Sequence, residues 1–98
     1  MANKKEFLID NLVESGFLFK EEDSDFVIME QPIEGFSYLK RRIAVSSDGK
    51  IIYLGVSTDN NYLGCLGIST TLELEKIFST IVKDEQFVNN LRSQSEAL

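Results

Sequence analysis

Apolar and polar residues alternate in two runs on either side of Ser47-Asp48-Gly49-Lys50, and this pattern predicts a β-hairpin. Asp-Gly between alternating segments favours a two-residue type I′ turn, because both central positions of that turn need positive φ. A loop at Asp48-Gly49 sets the register of the hairpin. It pairs Ser47 with Lys50, Val45 with Ile52, Ile43 with Leu54 and Arg41 with Val56.

This register divides the hairpin into two faces. One face is apolar and is expected in the core, with Leu39, Ile43, Val45, Ile52, Leu54 and Val56. The other face is mixed and carries Tyr38, Lys40, Arg42, Ala44, Ile51 and Tyr53. Arg41 falls on the core face, so its guanidinium has to reach past the sheet edge or meet a carboxylate on a helix.

The N-terminal half predicts a helix and a second hairpin. Residues 3–15 have helical spacing around Leu8 and Leu12, and Gly16 follows as a helix-ending residue. A loop at Asp23-Ser24 then joins two strand-like runs. This loop places Phe17, Phe19, Phe26 and Ile28 on one face and Leu18, Val27 and Met29 on the opposite one. Gln31–Gly35 predicts the bend between the two hairpins.

The C-terminal half predicts a fifth strand and then a helix. Tyr62–Ile68 resembles a strand weakened by two glycines, and we interpret Gly55, Gly64 and Gly67 as positions of bulges or close strand packing. Thr70–Glu73 fits a capping box. Apolar residues follow at helical spacing and predict a helix that is integral to the core: Leu74, Ile77, Phe78, Ile81 and Val82. Asp84 is expected to cap a separate final segment.

Together these elements predict one α+β domain over residues 1–98, with residues 93–98 frayed. The order is an N-terminal helix, a four- to five-stranded antiparallel meander, and a C-terminal helix or two helical segments. Local connections make this order economical. We expect both helices to pack on one face of the sheet, and the alternative is one helix on each face. The face expected to be covered carries Phe17, Phe19, Phe26, Ile28, Ile43, Val45, Leu54 and Val56.

Composition narrows the chemistry. The chain has 98 residues, a net charge of −6, one cysteine and no histidine. Without histidine the commonest general base and the usual nitrogen ligand of transition metals are missing, so we expect no enzymatic activity, no metal and no cofactor. The acidic balance disfavours nucleic acid as a partner, although Lys40-Arg41-Arg42 is a basic cluster. The absence of an apolar run of about 20 residues, and of a signal-peptide pattern at the start, predicts a cytoplasmic protein outside membranes.

The mixed sheet face is the strongest functional candidate in the sequence. If two helices cover one face, the other stays open, and tyrosine, methionine and arginine are enriched at interfaces. The predicted interaction residues are Tyr38, Lys40, Arg42, Ile51, Tyr53, Val27 and Met29. We therefore expect a non-enzymatic adaptor, chaperone-like or inhibitor protein that binds a protein partner, or forms a homodimer, through the open face or an edge strand. The alternative is a small-molecule site between sheet and helices, with polar contacts from Arg41 or Tyr53.

Overall fold

The computed structural model describes residues 3–58 and 71–98, apart from the side chains at positions 36–38, 58 and 71–73. The elements, in chain order, are α1 (Lys4–Glu14), β1 (Leu18–Glu22), β2 (Phe26–Ile33), β3 (Phe36–Ser46), β4 (Ile51–Thr58) and α2 (Thr71–Glu96). The strands form an antiparallel sheet in the order β1-β2-β3-β4, which confirms the α+β prediction. The predicted fifth strand and the capping box lie outside the described residues.

Helix α1 is capped at both ends. The Asn3 side chain accepts a hydrogen bond from the Glu6 amide at 2.8 Å, as an N-cap does. At the other end Gly16 has φ +92°, its amide donates to the Val13 carbonyl, and the Phe17 amide donates to the Leu12 carbonyl. These two bonds form a Schellman motif, which turns the chain so that Phe17 is buried beside Leu12.

The β1–β2 hairpin is shifted from its predicted register. Its loop is Ser24-Asp25, because the Asp23 amide donates to the Phe26 carbonyl and the Asp23 carboxylate accepts from the Asp25 and Phe26 amides. The carboxylate therefore builds an Asx-turn that pulls the loop one residue along the chain. A bulge at Lys20 then pairs Phe19 with Met29.

Strand β2 presents Val27 and Met29 to the helices. Val27 pairs with Val45 and Met29 pairs with Ile43, so all four side chains lie on the same face of the sheet. The sequence prediction that Val27 and Met29 lie opposite Val45 and Ile43 is therefore wrong. The physical reason is a tight connection at Glu34-Gly35 together with a register shift between Pro32 and Ile33. The pattern of apolar residues specifies neither feature.

The β3–β4 hairpin has a three-residue loop in place of the predicted two-residue loop. The Ser46 amide donates to the Lys50 carbonyl, and Gly49 has φ +86°, so Ser47-Asp48-Gly49 forms the loop. Val45 consequently pairs with Ile51, not Ile52. Asp-Gly suits both turn types, because each requires positive φ at the glycine. The need for glycine at position 49 is confirmed, and the predicted register beside it is wrong.

A bulge at Leu54-Gly55 then reverses this shift. Ile43 pairs with Tyr53 and Arg42 pairs with Gly55, which leaves Leu54 as the extra residue. Beyond the bulge Arg41 pairs with Val56, as predicted, and Gly55 has φ +92°. The interpretation of Gly55 as a bulge position is confirmed.

Helix α2 is one continuous element of 26 residues, about 39 Å long. It does not break at Asp84, and it continues to Glu96, past the point where fraying was expected. Its buried residues recur at helical spacing along one stripe: Ile77, Asp84, Val88, Leu91 and Ser95. Phe78 is 61% exposed, and Leu74 and Val82 are also exposed, so the prediction that Phe78 belongs to the core is wrong. The apolar stripe in the sequence is wider than the strip of α2 that touches the sheet.

Both helices cover the same face of the sheet. The main core joins residues of α1, α2 and the three strands β2–β4: Leu8, Leu12, Phe17, Val27, Met29, Ile43, Val45, Ile51, Val88 and Leu91. A smaller cluster of Ile33, Leu39 and Ile77 lies nearer the N-terminal end of α2. The described residues thus leave the opposite face of the sheet uncovered.

Candidate interaction surface

Two of the seven predicted interaction residues lie on the open face. Lys40 and Arg42 lie at alternate positions of β3 from Ala44 and so share its face. Arg42 pairs with Glu30 on β2 and with Gly55 on β4, and Lys40 pairs with Pro32 on β2 and with Ser57 on β4. The Arg42 guanidinium contacts the Glu30 carboxylate at 3.2 Å, so this member of the basic cluster has an acidic partner on the neighbouring strand. Tyr38 lies within β3, and its side chain is among those not described.

The other four predicted residues lie on the helix-covered face. Val27, Met29 and Ile51 are buried in the main core, and the half-buried Tyr53 packs against it. The prediction that they share the open face is wrong. For Ile51 and Tyr53 the cause is the three-residue turn, because a shift of one residue moves a side chain to the other face of a strand.

The open face carries an apolar row that crosses three strands. Ile28 on β2 lies opposite Ala44 on β3, and Ala44 lies opposite Ile52 on β4. Ile52 is 42% exposed and Leu54, two residues further along β4, is 49% exposed. A solvated sheet face normally carries polar side chains, so exposed isoleucine and leucine on this face are unusual.

The open face is also uneven, because its side chains differ in size from strand to strand. Near the β3–β4 turn the open-face residues of β3 are small and buried, with Ala44 at 3% and Ser46 at 9% exposure, whereas larger side chains project from the strands on both sides. We call this feature the β3 groove, with Ala44 and Ser46 as its floor and Phe26, Ile28, Ile52 and Leu54 as its walls. The Arg42–Glu30 ion pair lies at the end of the groove farther from the β3–β4 turn.

The two outer strands of the described sheet are poorly suited to pairing with another strand. Strand β1 is short, contains the bulge at Lys20 and ends in Glu21 and Glu22. On β4, the Arg92 guanidinium donates to the Ile51 carbonyl at 3.0 Å, and the bulge at Leu54 interrupts the strand. Bulges and charged side chains are the usual devices that protect sheet edges.

A polar network lies between the sheet and α2. The Asp84 carboxylate contacts the Arg41 guanidinium at 3.2 Å and accepts from the Tyr53 hydroxyl at 3.0 Å. Arg41 also donates to the Gln31 side-chain carbonyl at 3.1 Å and stacks over the Phe17 ring at 5.2 Å. Arg41 thus meets a helix carboxylate, which is one of the two outcomes expected from its position on the core face.

Burial dominates the electrostatics of this network. Desolvation raises the pKa of Asp84 above its ordinary value, although the Arg41 charge and the Tyr53 hydroxyl both act to lower it. Burial, together with the Asp84 charge, raises the pKa of Tyr53. Arg41 and Tyr53, the two residues expected to serve a ligand, are therefore already bound to Asp84.

A hollow of about 330 Å³ lies beside the β3–β4 turn, apart from this network. Its lining includes Lys4, Lys50, Arg92 and Ser95. Arg92 donates to the Asn89 side chain and to the Ile51 carbonyl, and the Ser95 hydroxyl donates to the Arg92 carbonyl. Arg92 and Ser95 are thus bound within the protein, and Lys50 contacts the Asp48 carboxylate at 3.8 Å.

Sequence reasoning missed Phe26, Ile28, Ile52 and Leu54 as members of the open face. One signal in the chain could have indicated the two members on β4. Ser-Asp-Gly allows a three-residue loop with glycine last, which adds one residue to the turn and exchanges the faces of the strand that follows. The faces of Phe26 and Ile28 depend on the connection at Glu34-Gly35, for which the apolar pattern gives no such signal.

Among the described residues no cluster of three or more acidic or thiol side chains is placed to hold a metal ion. Neither described helix combines the length and apolar character that crossing a membrane requires. Comparison with known proteins gives no match to a family model, a curated protein or a solved structure.

Proposed function

We propose that this chain is a small non-enzymatic interaction domain, of the adaptor, chaperone-like or inhibitor kind, that binds a protein through the open sheet face. The observation that carries the proposal is the apolar row Ile28–Ala44–Ile52, extended by the half-exposed Leu54, on a face that no described element covers. Contiguous apolar surface of this kind marks interaction sites on soluble proteins, because leaving it in water is unfavourable.

The face is a better candidate than the strand edges. Both outer strands of the described sheet carry bulges and charged side chains close to their backbone, which hinders the addition of a partner strand. The face instead combines aliphatic side chains with one charge pair, Arg42–Glu30, on the two inner strands. Protein interfaces combine apolar side chains with a limited number of polar contacts in this way.

The net charge of −6 bears on the kind of partner. An acidic protein attracts neutral or basic surfaces and repels nucleic acid and anionic lipid, so a protein partner with a basic rim fits best. A second copy of the chain is the other candidate partner. The described contacts do not favour the small-molecule alternative, since Arg41 and Tyr53 both bind Asp84.

The proposal is tested with Ile52→Lys and a matched control, Val13→Lys. Both positions are exposed aliphatic residues, but Val13 lies on α1, away from the open face. A photoreactive phenylalanine analogue at position 52 or 13 provides a second readout, in which covalent adducts formed in a lysate of the source cells are identified by mass. Sedimentation measures self-association in parallel.

We expect adducts with one protein, or with a second copy, from position 52 and not from position 13. Ile52→Lys should weaken binding of that protein by about 30-fold, which corresponds to the loss of an anchor residue worth about 2 kcal/mol. Circular dichroism checks that each variant is folded. Equal adducts from both positions, or unchanged binding by Ile52→Lys, would overturn the proposal.

A further inference from the structure

Helix α2 buries a charged side chain and exposes large apolar side chains in the same part of its length. Asp84 is 4% exposed, whereas Phe78 is 61% exposed, and Leu74 and Val82 are also exposed. Burial of apolar side chains favours folding, and burial of a charge opposes it. Hydrophobicity alone would therefore select a different side of this part of α2 to face the sheet.

The exposed apolar residues lie together on one side of the helix, and we call Leu74, Phe78 and Val82 the outer stripe of α2. At about 100° per residue they lie about 80°, 120° and 160° around the helix axis from Asp84. The buried Ile77 lies only about 20° from Asp84. A rotation of this part of α2 by about 100° would exchange Ile77 and Asp84 for the whole outer stripe.

The part of α2 that follows Asp84 offers no such choice. Val88 and Leu91 are buried in the main core. The positions that continue the outer stripe hold polar residues: Glu85, Asn89, Arg92 and Glu96. A competing arrangement would therefore divide the helix near Asp84, keep the second part in place and rotate the first part until the outer stripe packs on the sheet. Asp84 would then cap the second part, as the sequence predicts.

Two residues of the sheet oppose the competing arrangement. Arg41 lies on the helix-covered face of β3, and its guanidinium contacts the Asp84 carboxylate at 3.2 Å. The Tyr53 hydroxyl donates to the same carboxylate at 3.0 Å. Rotation of the first part of α2 would remove the carboxylate and leave the arginine charge beneath apolar side chains, which is strongly unfavourable. A continuous α2 keeps both contacts.

We infer that Arg41 and Tyr53 form a latch that binds Asp84, holds α2 as one helix and keeps the outer stripe at the protein surface. A buried ion pair adds little net stability, but it excludes arrangements that leave one of its charges unpaired. The inference is independent of the proposed function, because the latch lies on the helix-covered face and the proposed interaction surface lies on the other face.

Arg41→Met tests the latch, and Arg42→Met is the matched control. Both residues lie on β3 and contact a carboxylate, but Arg42 contacts Glu30 on the open face. A single para-fluorophenylalanine replaces Phe78 or, in a second sample, Phe87, so that the aromatic ring is retained. The difference in fluorine chemical shift between light and heavy water measures the exposure of each ring, and circular dichroism checks the fold.

In Arg41→Met the solvent effect at position 78 should fall at least about threefold, because the ring moves from the surface into contact with the sheet. The effect at position 87, beyond the division, should not change. Adding Val82→Lys to Arg41→Met should restore the exposure at position 78, since a lysine in the outer stripe opposes its burial. Arg42→Met should leave both positions as in the parent.

Three results would overturn the inference: unchanged exposure at position 78 in folded Arg41→Met, a loss of exposure there that Val82→Lys does not reverse, or the same loss at position 87 or in Arg42→Met. If Arg41→Met does not fold, Tyr53→Phe replaces it, because this variant removes one contact of the latch and no charge. It should show a second, shielded fluorine signal at position 78. A single exposed signal would overturn the inference.

Discussion

The Arg41–Asp84 ion pair should contribute little net stability although each partner depends on the other. The side chain of Asp84 is only 6% exposed and that of Arg41 is 24% exposed. Burial raises the pKa of Asp84 in spite of the neighbouring guanidinium, so the loss of hydration outweighs the attraction between the charges. We therefore predict that Arg41→Met and Asp84→Leu each destabilise the fold, and that the double variant recovers most of the loss.

The loss of stability expected for each single variant depends on the charged group that the variant leaves unpaired. Removing one partner of a buried pair costs about 3–5 kcal/mol. For Asp84→Leu we expect about 2–3 kcal/mol, because Arg41 is partly solvated and keeps the Gln31 carbonyl and the Phe17 ring. For Arg41→Met we expect about 3 kcal/mol, since the carboxylate retains only the Tyr53 hydroxyl among these partners. The double variant should lie within about 1 kcal/mol of the parent.

Urea unfolding followed by circular dichroism at pH 7 measures the four free energies of unfolding and hence the coupling energy of the pair. We expect a coupling of about 4 kcal/mol. Additive losses, with the double variant about 5–6 kcal/mol less stable than the parent, would refute the reasoning. Such a result would mean that the side chains stabilise the fold by packing, not by charge.

The same pair gives a pH dependence of known sign. Because the pKa of Asp84 is raised in the folded state, its contribution is fully favourable below its unfolded pKa, near 3.9, and is lost as pH rises through the higher folded pKa. Arg41→Met removes an interaction that lowers this pKa, so its loss of stability should be smaller at pH 4.5 than at pH 7. Arg41→Met combined with Asp84→Asn should lack this difference, and an unchanged penalty at both pH values would contradict the assignment.

Three further predictions concern the turns and the surface. Gly49→Ala should destabilise the fold by about 2 kcal/mol and Gly55→Ala by about 1 kcal/mol. Both glycines have positive φ, but only a Cβ at position 49 would contact another side chain, with Lys4 Cβ at 2.6 Å. Equal losses of stability in thermal unfolding would contradict this packing. Ile51→Lys should prevent folding, whereas Ile52→Lys should leave the free energy of unfolding within about 1 kcal/mol of the parent's, since adjacent side chains lie on opposite faces; the reverse order of stability in urea would disprove the register. Phe78→Ala should cost less than about 1 kcal/mol in the same assay, because this ring is mostly exposed, and a loss of 3 kcal/mol would place it in the core.

The sequence was sufficient for the elements and for their order. Helical spacing around Leu8 and Leu12, a glycine after α1 and alternating runs about Asp48-Gly49 are local signals, and local signals decide which element forms. Helix α2 was expected to divide at Asp84 because aspartate favours caps over helix interiors. In the structure Arg41 on β3 binds the Asp84 carboxylate inside the fold, so Asp84 lies in a helix interior and not at a cap. A residue-by-residue preference cannot include that contact.

The candidate site was harder to predict, because the face of a side chain depends on the count of residues in each loop. Lys40 and Arg42 were assigned correctly, since they lie beyond the bulge where the register agrees with the prediction. Ile51 and Tyr53 lie between the turn and the bulge, where the register differs by one residue. Hydrophobicity does not resolve this choice, because isoleucine, leucine and tyrosine occur at consecutive positions of β4.

The bulge at Leu54-Gly55 allows β4 to place apolar side chains on both faces of the sheet. With an uninterrupted ladder from the three-residue turn, Ile52 and Leu54 would face solvent, but so would Val56. The extra residue turns Val56 back to the covered face, where it packs against the cluster of Ile33, Leu39 and Ile77, while Leu54 stays exposed. The extra residue of the bulge therefore returns Val56 to the covered face and leaves Leu54 as part of a wall of the β3 groove. Core packing alone would accept a polar residue at position 54, so the exposed leucine there supports the proposed interaction face.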